Sequence, residues 1–261
     1  MKRLVRREQV GTVLRLELDD DATRNSLSEA MMAELQAQLD VDTSVHVIII
    51  ASTGKAFSSG HNLKELTAHR ADADHGQAYF EKIFDHCATL MMAIAHHRCA
   101  VIAEVDGLAS AAGCQLVATC DLAYASPRAG FCTPGVNLGL FCSTPMVAVS
   151  RSVGSKQAME MLLLGGIHDA DFAHRVGLIN GVVSQEELSN YVNSLSTIIA
   201  AKSQAAIGYG KRLFYDQLQV PLVEAYHIAS ATMVKNMMDG AACEGLDAFT
   251  HKRSPQWPPH I

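Results

Sequence analysis

Apolar, β-branched runs that alternate with stretches of helical periodicity constrain this chain more than any other feature of its sequence. Residues 45–51, interrupted only by His46, and residues 100–105 are two such runs, and the buried strands of a parallel sheet read this way. Between them Phe80, Ile83, Phe84, Cys87, Leu90, Met91 and Ile94 recur at helical spacing, the apolar stripe of a long amphipathic helix. Residues 107–116 then turn from small side chains into a helix, and residues 121–126 return as a strand. Strand, helix, strand, helix, strand in this order requires crossovers, hence parallel pairing and an α/β fold.

The flanks fit the same frame. Leu14, Leu16 and Leu18 alternate with Arg15 and Glu17 as a half-buried strand, and Ser28 is an N-cap for a helix carrying Met31, Leu35 and Leu39. From Ser155 the pattern is helical, with stops at Gly165-Gly166 and Gly177. Beyond about residue 185, three or four helices are separated by Ser203, Pro221 and Gly240. With 261 residues, 49% apolar and 18% charged, one large domain suffices. The expected division is a core over residues 1–200 and a helical oligomerisation region over 201–261, whose apolar side chains exceed what one small domain needs.

The net charge of −6 and scattered basic residues exclude a cationic stripe, so neither nucleic acid nor a membrane is expected as a partner. The seven cysteines show no C-x-x-C spacing and sit mostly in apolar stretches, as buried reduced thiols do. No long apolar segment follows the basic start Met1–Arg7, so a cytoplasmic location is expected. His96 and His97 are adjacent, point to different helix faces and have no third ligand at metal spacing, so no metal is expected.

Two loops let backbone amides point at a ligand. Phe57-Ser58-Ser59-Gly60-His61 and Ala111-Ala112-Gly113-Cys114 each follow a buried strand, where ligands of open α/β sheets bind, and the second also opens a helix. Two amides on one oxygen make an oxyanion hole, worth about 3 kcal/mol per donor as charge develops. Taken alone, short Gly/Ala turns after strands are usually only turns.

Five segments in order resemble one family. Gly54 to Glu65 is similar to the crotonase signature G-x-x-F-x-x-G-x-D-L-x-E, and Gly107 to Asp121 to its second signature, a glycine-rich loop opening a helix that ends in Cys-Asp. Arg24-Asn25-Ser26-Leu27-Ser28, Gly177-Leu178-Ile179-Asn180 and the stretch from Phe249 through Lys252-Arg253 to Pro255 resemble three further segments. Together they identify the chain as a member of the crotonase (enoyl-CoA hydratase/isomerase) superfamily. The segment from Thr133 to Pro145 is nearer to one subgroup than to the ordinary hydratases.

The resemblance implies a crotonase (ClpP-like) spiral of ββα units with a C-terminal helical extension, binding an acyl-CoA as homotrimer or hexamer. It puts the oxyanion-hole amides on His61 and Ala112. Backbone around Ala56, Ser58 and Gly60 would hold the adenine and pantetheine, Arg24 and Lys64 would lie near the phosphates, and Ser26 belongs to the same coenzyme-binding set. Phe249 and Lys252 would reach the coenzyme from the C-terminal helices, often of a neighbouring subunit. No cofactor is implied beyond the coenzyme A thioester itself.

Where the hydratases carry their two catalytic glutamates, this chain has Gln115 and Gly135. An amide does not take up and return a proton at neutral pH, and losing a positioned acid or base commonly costs about 10² to 10⁴-fold. A non-hydratase reaction of the family is therefore expected. The alternatives are a non-catalytic acyl-CoA binding or regulatory protein, and a conventional enoyl-CoA hydratase of fatty-acid oxidation using other groups. Gln115 and Gly135 are expected to face the thioester, so that restoring both glutamates raises hydration, with a positive φ at Gly135 as the hazard. His61 has a titration range suited to proton transfer, and Cys142, Asn137 and Ser143 lie on the loop that often carries family-specific chemistry.

Overall fold

The computed structural model describes residues 3–258; Met1 and Lys2 of the basic start, and the last three residues of the expected helical region, lie outside the described residues. Strands β1 (Val5–Val10) and β2 (Val13–Leu18) form an antiparallel hairpin, and Leu14, Leu16 and Leu18 bury their side chains as the alternation requires. Helix α1 (Glu29–Gln38) starts at Ser28, whose Oγ accepts the Met31 amide at 3.1 Å.

Three ββα turns follow. Strands β3 (Val47–Ser52) and β4 (Ala56–Ser58) lead to α2 (Leu63–Ala68) and α3 (Gln77–Ala95). Strands β5 (Ala100–Val105) and β6 (Leu108–Ser110) lead to α4 (Ala112–Thr119), then β7 (Leu122–Ala125) and β8 (Gly130–Cys132) to α5 (Ser143–Ser152) and α6 (Ser155–Leu164). The first strand of each pair enters a six-stranded sheet ordered β1-β2-β3-β5-β7-β10, and the second enters a four-stranded sheet ordered β4-β6-β8-β9. Here β9 (His168–Asp169) precedes α7 (Ala170–Val176), and β10 (Gly181–Val182) follows it. Pairing is parallel except at β1/β2 and β8/β9. The result is the spiral of ββα units that the resemblance implies. The smaller sheet leaves no trace in the sequence pattern, because its strands are at most three residues long and show no period.

The unbroken apolar run of β3 is explained by burial on both faces. Ile48 and Ile50 join the main core with Leu14, Leu16 and Met31, whereas Val47 and Ile49 pack under Leu188 and Val192 of α8 (Leu188–Ala200). Burying each such side chain is worth about 1.5–3 kcal/mol.

The chain ends in α9 (Gln204–Gln217), α10 (Leu222–Met237) and α11 (Gly240–Thr250). Lys211 of α9 ties this region to the core through Asp121 at 2.7 Å, and the Tyr215 hydroxyl donates to the same carboxylate at 3.1 Å. Leu222, Val223, Tyr226, Met238 and Phe249 are all at least 70% exposed, so much of the apolar surface of these helices is uncovered in the single chain. No helix among the described residues is long and apolar enough to cross a membrane.

Candidate functional site

Asn25 holds the first loop in place. Fully buried at φ 52°, it donates from Nδ2 to the Thr53 and Ala56 carbonyls, both at 2.8 Å, and its Oδ1 accepts the Asp20 amide at 2.7 Å. The residues on either side of it pin the loop after β4: Ser59 N donates to Arg24 O at 3.0 Å, and Leu27 N donates to Gly60 O at 2.8 Å. Replacing Asn25 with alanine strands two carbonyls and an amide, and should lower the unfolding free energy in urea by about 2 kcal/mol.

The second loop meets the first at Gly60. At φ +81°, a Cβ on Gly60 would lie 2.8 Å from Ser110 O and 3.1 Å from Ala112 N, so only glycine lets the two backbones approach this closely. Gly113 is matched to Ser58 in the same way, its absent Cβ falling 2.4 Å from the Ser58 carbonyl. Ala111 precedes α4 with φ 49° and ψ −115°, a strained conformation for a residue with a side chain. Ala112 is the first residue of that helix, where amides lack an intrahelical carbonyl. Among the described residues neither the Ala112 N–H nor the His61 N–H donates a backbone hydrogen bond.

Both residues line one cavity of about 390 Å³. Its walls are mostly apolar, with Leu63 and Leu66 from α2, Phe84 from α3, and Leu140, Phe141 and Cys142 before α5. The His61 ring lies edge-on to Phe84, with centroids 5.3 Å apart. Its two nitrogens are buried and make no hydrogen bond within the chain. Burial pushes this imidazole below its ordinary value, against a smaller opposing contribution from the Leu27 backbone.

A family model described as enoyl-CoA hydratase/isomerase matches residues 8–259. The chain belongs to the enoyl-CoA hydratase/isomerase family. It is 43% identical to the rat enoyl-CoA hydratase domain-containing protein 3, mitochondrial, over 98% of this chain and 84% of that protein. The human protein of the same name is 44% identical over 95% and 82%. The crystal structure of the human protein superposes with a TM-score of 0.92, 43% identity and 98% and 100% coverage. That of an enoyl-CoA hydratase from Mycobacterium smegmatis also gives 0.92, with 44% identity over 98% and 99%. The rat and human proteins represent the subgroup to which the Thr133–Pro145 segment points. They also overturn the cytoplasmic expectation, since both are named mitochondrial. Cysteines distinguish a reducing from an oxidising compartment and discriminate no further.

At the two positions where the resemblance implies glutamates in the hydratases, the structure departs from what the sequence led us to expect. Gln115 does not line the cavity that holds His61 and Ala112. It is 4% exposed, its Oε1 lies 4.0 Å from Cys87 Sγ of α3, and it borders a second cavity with Met91 and Met92. The helix that projects Ala112 into the first cavity packs the Gln115 side chain against α3. Gly135 does line the first cavity but not at positive φ. The constraint there is crowding, since a Cβ would lie 3.0 Å from Cys142 Sγ and 3.2 Å from Leu140 O.

The other sequence-derived positions are spread out. Ala56 and Ser58 are buried; the Ala56 carbonyl is held by Asn25, and Ser58 Oγ accepts the Gly60 amide at 3.3 Å. Ser26 Oγ is buried without a partner, and Arg24 and Lys64 are exposed. Phe249 is 85% exposed on α11 and Lys252 lies just beyond it; neither lines the cavity in this chain. Asn62, where the family signature has Asp, caps α2 by accepting the Lys64 amide at 3.1 Å. Sequence reading missed Asn25. Its signal was an Asx residue between two turn positions, although nothing in the sequence shows which carbonyls it holds.

Proposed function

We propose that this chain binds an acyl-CoA thioester with its acyl group in the 390 Å³ cavity and its carbonyl oxygen between the amides of His61 and Ala112. The observation that carries this reading is the pair of undonated N–H groups brought to one apolar cavity by the Gly60 contact. Such donors stabilise the enolate that forms when a proton leaves the carbon beside the thioester. Exposed Arg24 and Lys64 are available to the phosphates. The reaction is a non-hydratase one of the family, such as isomerisation or thioester cleavage, because no carboxylate among the described residues lines the cavity. The same absence favours a second reading, an acyl-CoA binding or regulatory protein without turnover.

Calorimetry with crotonyl-CoA and butyryl-CoA tests the binding. A measurable heat is expected, and no binding at millimolar ligand would remove the proposal. Mass spectrometry of an acyl-CoA panel then separates the two readings, since turnover of any member eliminates the binding-only one. The uncovered apolar helices α9–α11 support assembly into a trimer or a dimer of trimers. Sedimentation should show no monomer at micromolar concentration; a monomeric species would contradict the assembly.

A further inference from the structure

The second cavity, of about 450 Å³, has no part in the reading above, yet it lies end to end with the first along the same three helices. Helix α3 gives Phe84 to the first cavity and Met91, Met92 and Ala95 to the second. Helix α4 gives Ala112 to the first and Gln115 and Ala118 to the second, and α5 gives Thr144 and Pro145 to the first and Val147 and Ala148 to the second. On α4 and α5 the change comes within one helical turn, a rise of about 5 Å. The two spaces are consecutive compartments of one trench, which follows α3 from Phe84 to Ala95 for about 16 Å.

Little stands between the compartments. Cys87 of α3 falls between Phe84 and Met91 at helical spacing, is fully buried, and donates from its thiol to Gln115 Oε1 at 4.0 Å. That weak thiol contact is the one hydrogen bond of the Gln115 side chain among the described residues, so turning the amide aside breaks no strong bond. Beyond it the lining is mostly apolar, with Met91, Met92, Val147 and Leu178 from the core and Leu218 from α9. Methionine is unbranched and adapts its shape to a flexible apolar guest. The far end is polar, closed by the Asp121 carboxylate that Lys211 and Tyr215 hold.

We propose that this trench binds a long-chain fatty acyl group, whose first carbons fill the first cavity while the rest of the tail passes Gln115 into the second. This rests on the acyl-thioester reading above and names its substrate class as long-chain acyl-CoA. Gln115 is then a specificity-determining gate rather than a proton carrier: a short acyl group leaves it against Cys87, and a long one displaces it. Each methylene that leaves water for the second compartment should tighten binding by up to about fourfold, until the methyl end reaches Asp121.

The test is calorimetry of the full chain with butyryl-, octanoyl- and dodecanoyl-CoA, each kept below the concentration at which it forms micelles. Dodecanoyl-CoA should bind at least about 100-fold more tightly than butyryl-CoA. Ala118→Phe fills the second compartment from α4; it should weaken dodecanoyl-CoA by at least about 30-fold and hold butyryl-CoA within about threefold of the parent. Ala148→Phe fills the same space from α5 and is read in the same way if a melting curve shows the first variant unfolded. An affinity that does not rise from octanoyl- to dodecanoyl-CoA overturns the proposal. So does a folded, filled variant that keeps the parent's affinity for dodecanoyl-CoA, which would put the tail over the exposed rim of Leu138, Leu140 and Phe141, or one that loses both ligands equally. Failure of the parent to bind any of the three overturns the acyl-thioester reading itself, and the parent's titrations alone report that failure.

Discussion

Gly60→Ala should weaken butyryl-CoA binding by about 10-fold, a loss of about 1.4 kcal/mol, the upper end of what one amide donor is worth to a neutral thioester oxygen. The backbone sits at φ +81°, and the new Cβ would lie 2.8 Å from Ser110 O, 3.0 Å from Ala111 Cβ and 3.1 Å from Ala112 N. Two of these three neighbours are backbone atoms of the second loop. Relief requires the loops to separate by several tenths of an ångström, which takes the His61 and Ala112 amides out of common reach of one oxygen. Strain and separation together should lower the unfolding free energy by about 3 kcal/mol. Gly11→Ala is the matched control: Gly11 has φ +58° in the β1–β2 turn with nothing within 4 Å of its Cβ position. It should lose about 1 kcal/mol of stability and keep its affinity in calorimetry. If Gly60→Ala binds as tightly as Gly11→Ala, the meeting of the two loops is not what creates the binding site.

Restoring both glutamates, Gln115→Glu with Gly135→Glu, should destabilise the chain by about 4 kcal/mol or more and confer no appreciable hydration of crotonyl-CoA. The sequence alone leads to the opposite expectation. The first change replaces the Gln115 amide, packed against Cys87, whose thiol burial has pushed up to about 12. A carboxylate there meets the same desolvation. Its folded-state pKa would be raised above the unfolded value of about 4.3. The unfolded chain then loses its proton first, so the variant's stability falls as pH rises above that value and continues to fall until the folded-state value is passed. Melting Gln115→Glu alone at about pH 5 and about pH 8 tests this sign, with the larger loss expected at the higher pH. At Gly135 the obstacle is steric, because Cys142 Sγ and the Leu140 carbonyl occupy the space a glutamate needs. A folded double variant that hydrates at enzymic rates would show that both positions reach the substrate after all.

Elements with a long period were legible in the sequence. Helix α3 exposes its stripe in seven apolar residues, and β3 and β5 read as buried because both faces of β3 meet apolar cores. The three-residue strands β4, β6 and β8 were not legible, since a run of three has no alternation to detect and their pairing is between residues about 20 to 50 positions apart in the chain. That His61 and Ala112 come together at one cavity was reached through motif resemblance, because backbone groups leave only small residues as their trace. Orientation escaped in both directions. Nothing at Gln115 shows that its side chain turns to α3, and nothing at Gly135 shows that Cys142 lies over it. Each depends on an element distant in sequence.

The way β4 and β6 lie side by side has a consequence for how such a chain can change over evolutionary time. Register between them is held by main-chain pairing of Ala56 with Leu108 and Ser58 with Ala109, and successive ββα units each supply one amide. Substitutions that alter side chains while respecting the few glycine contacts leave these donors where they are. On the proposed reading, a lineage can thus discard one chemistry and acquire another without passing through a form that has lost its grip on the acyl-CoA. The scaffold separates what is recognised from what is done to it.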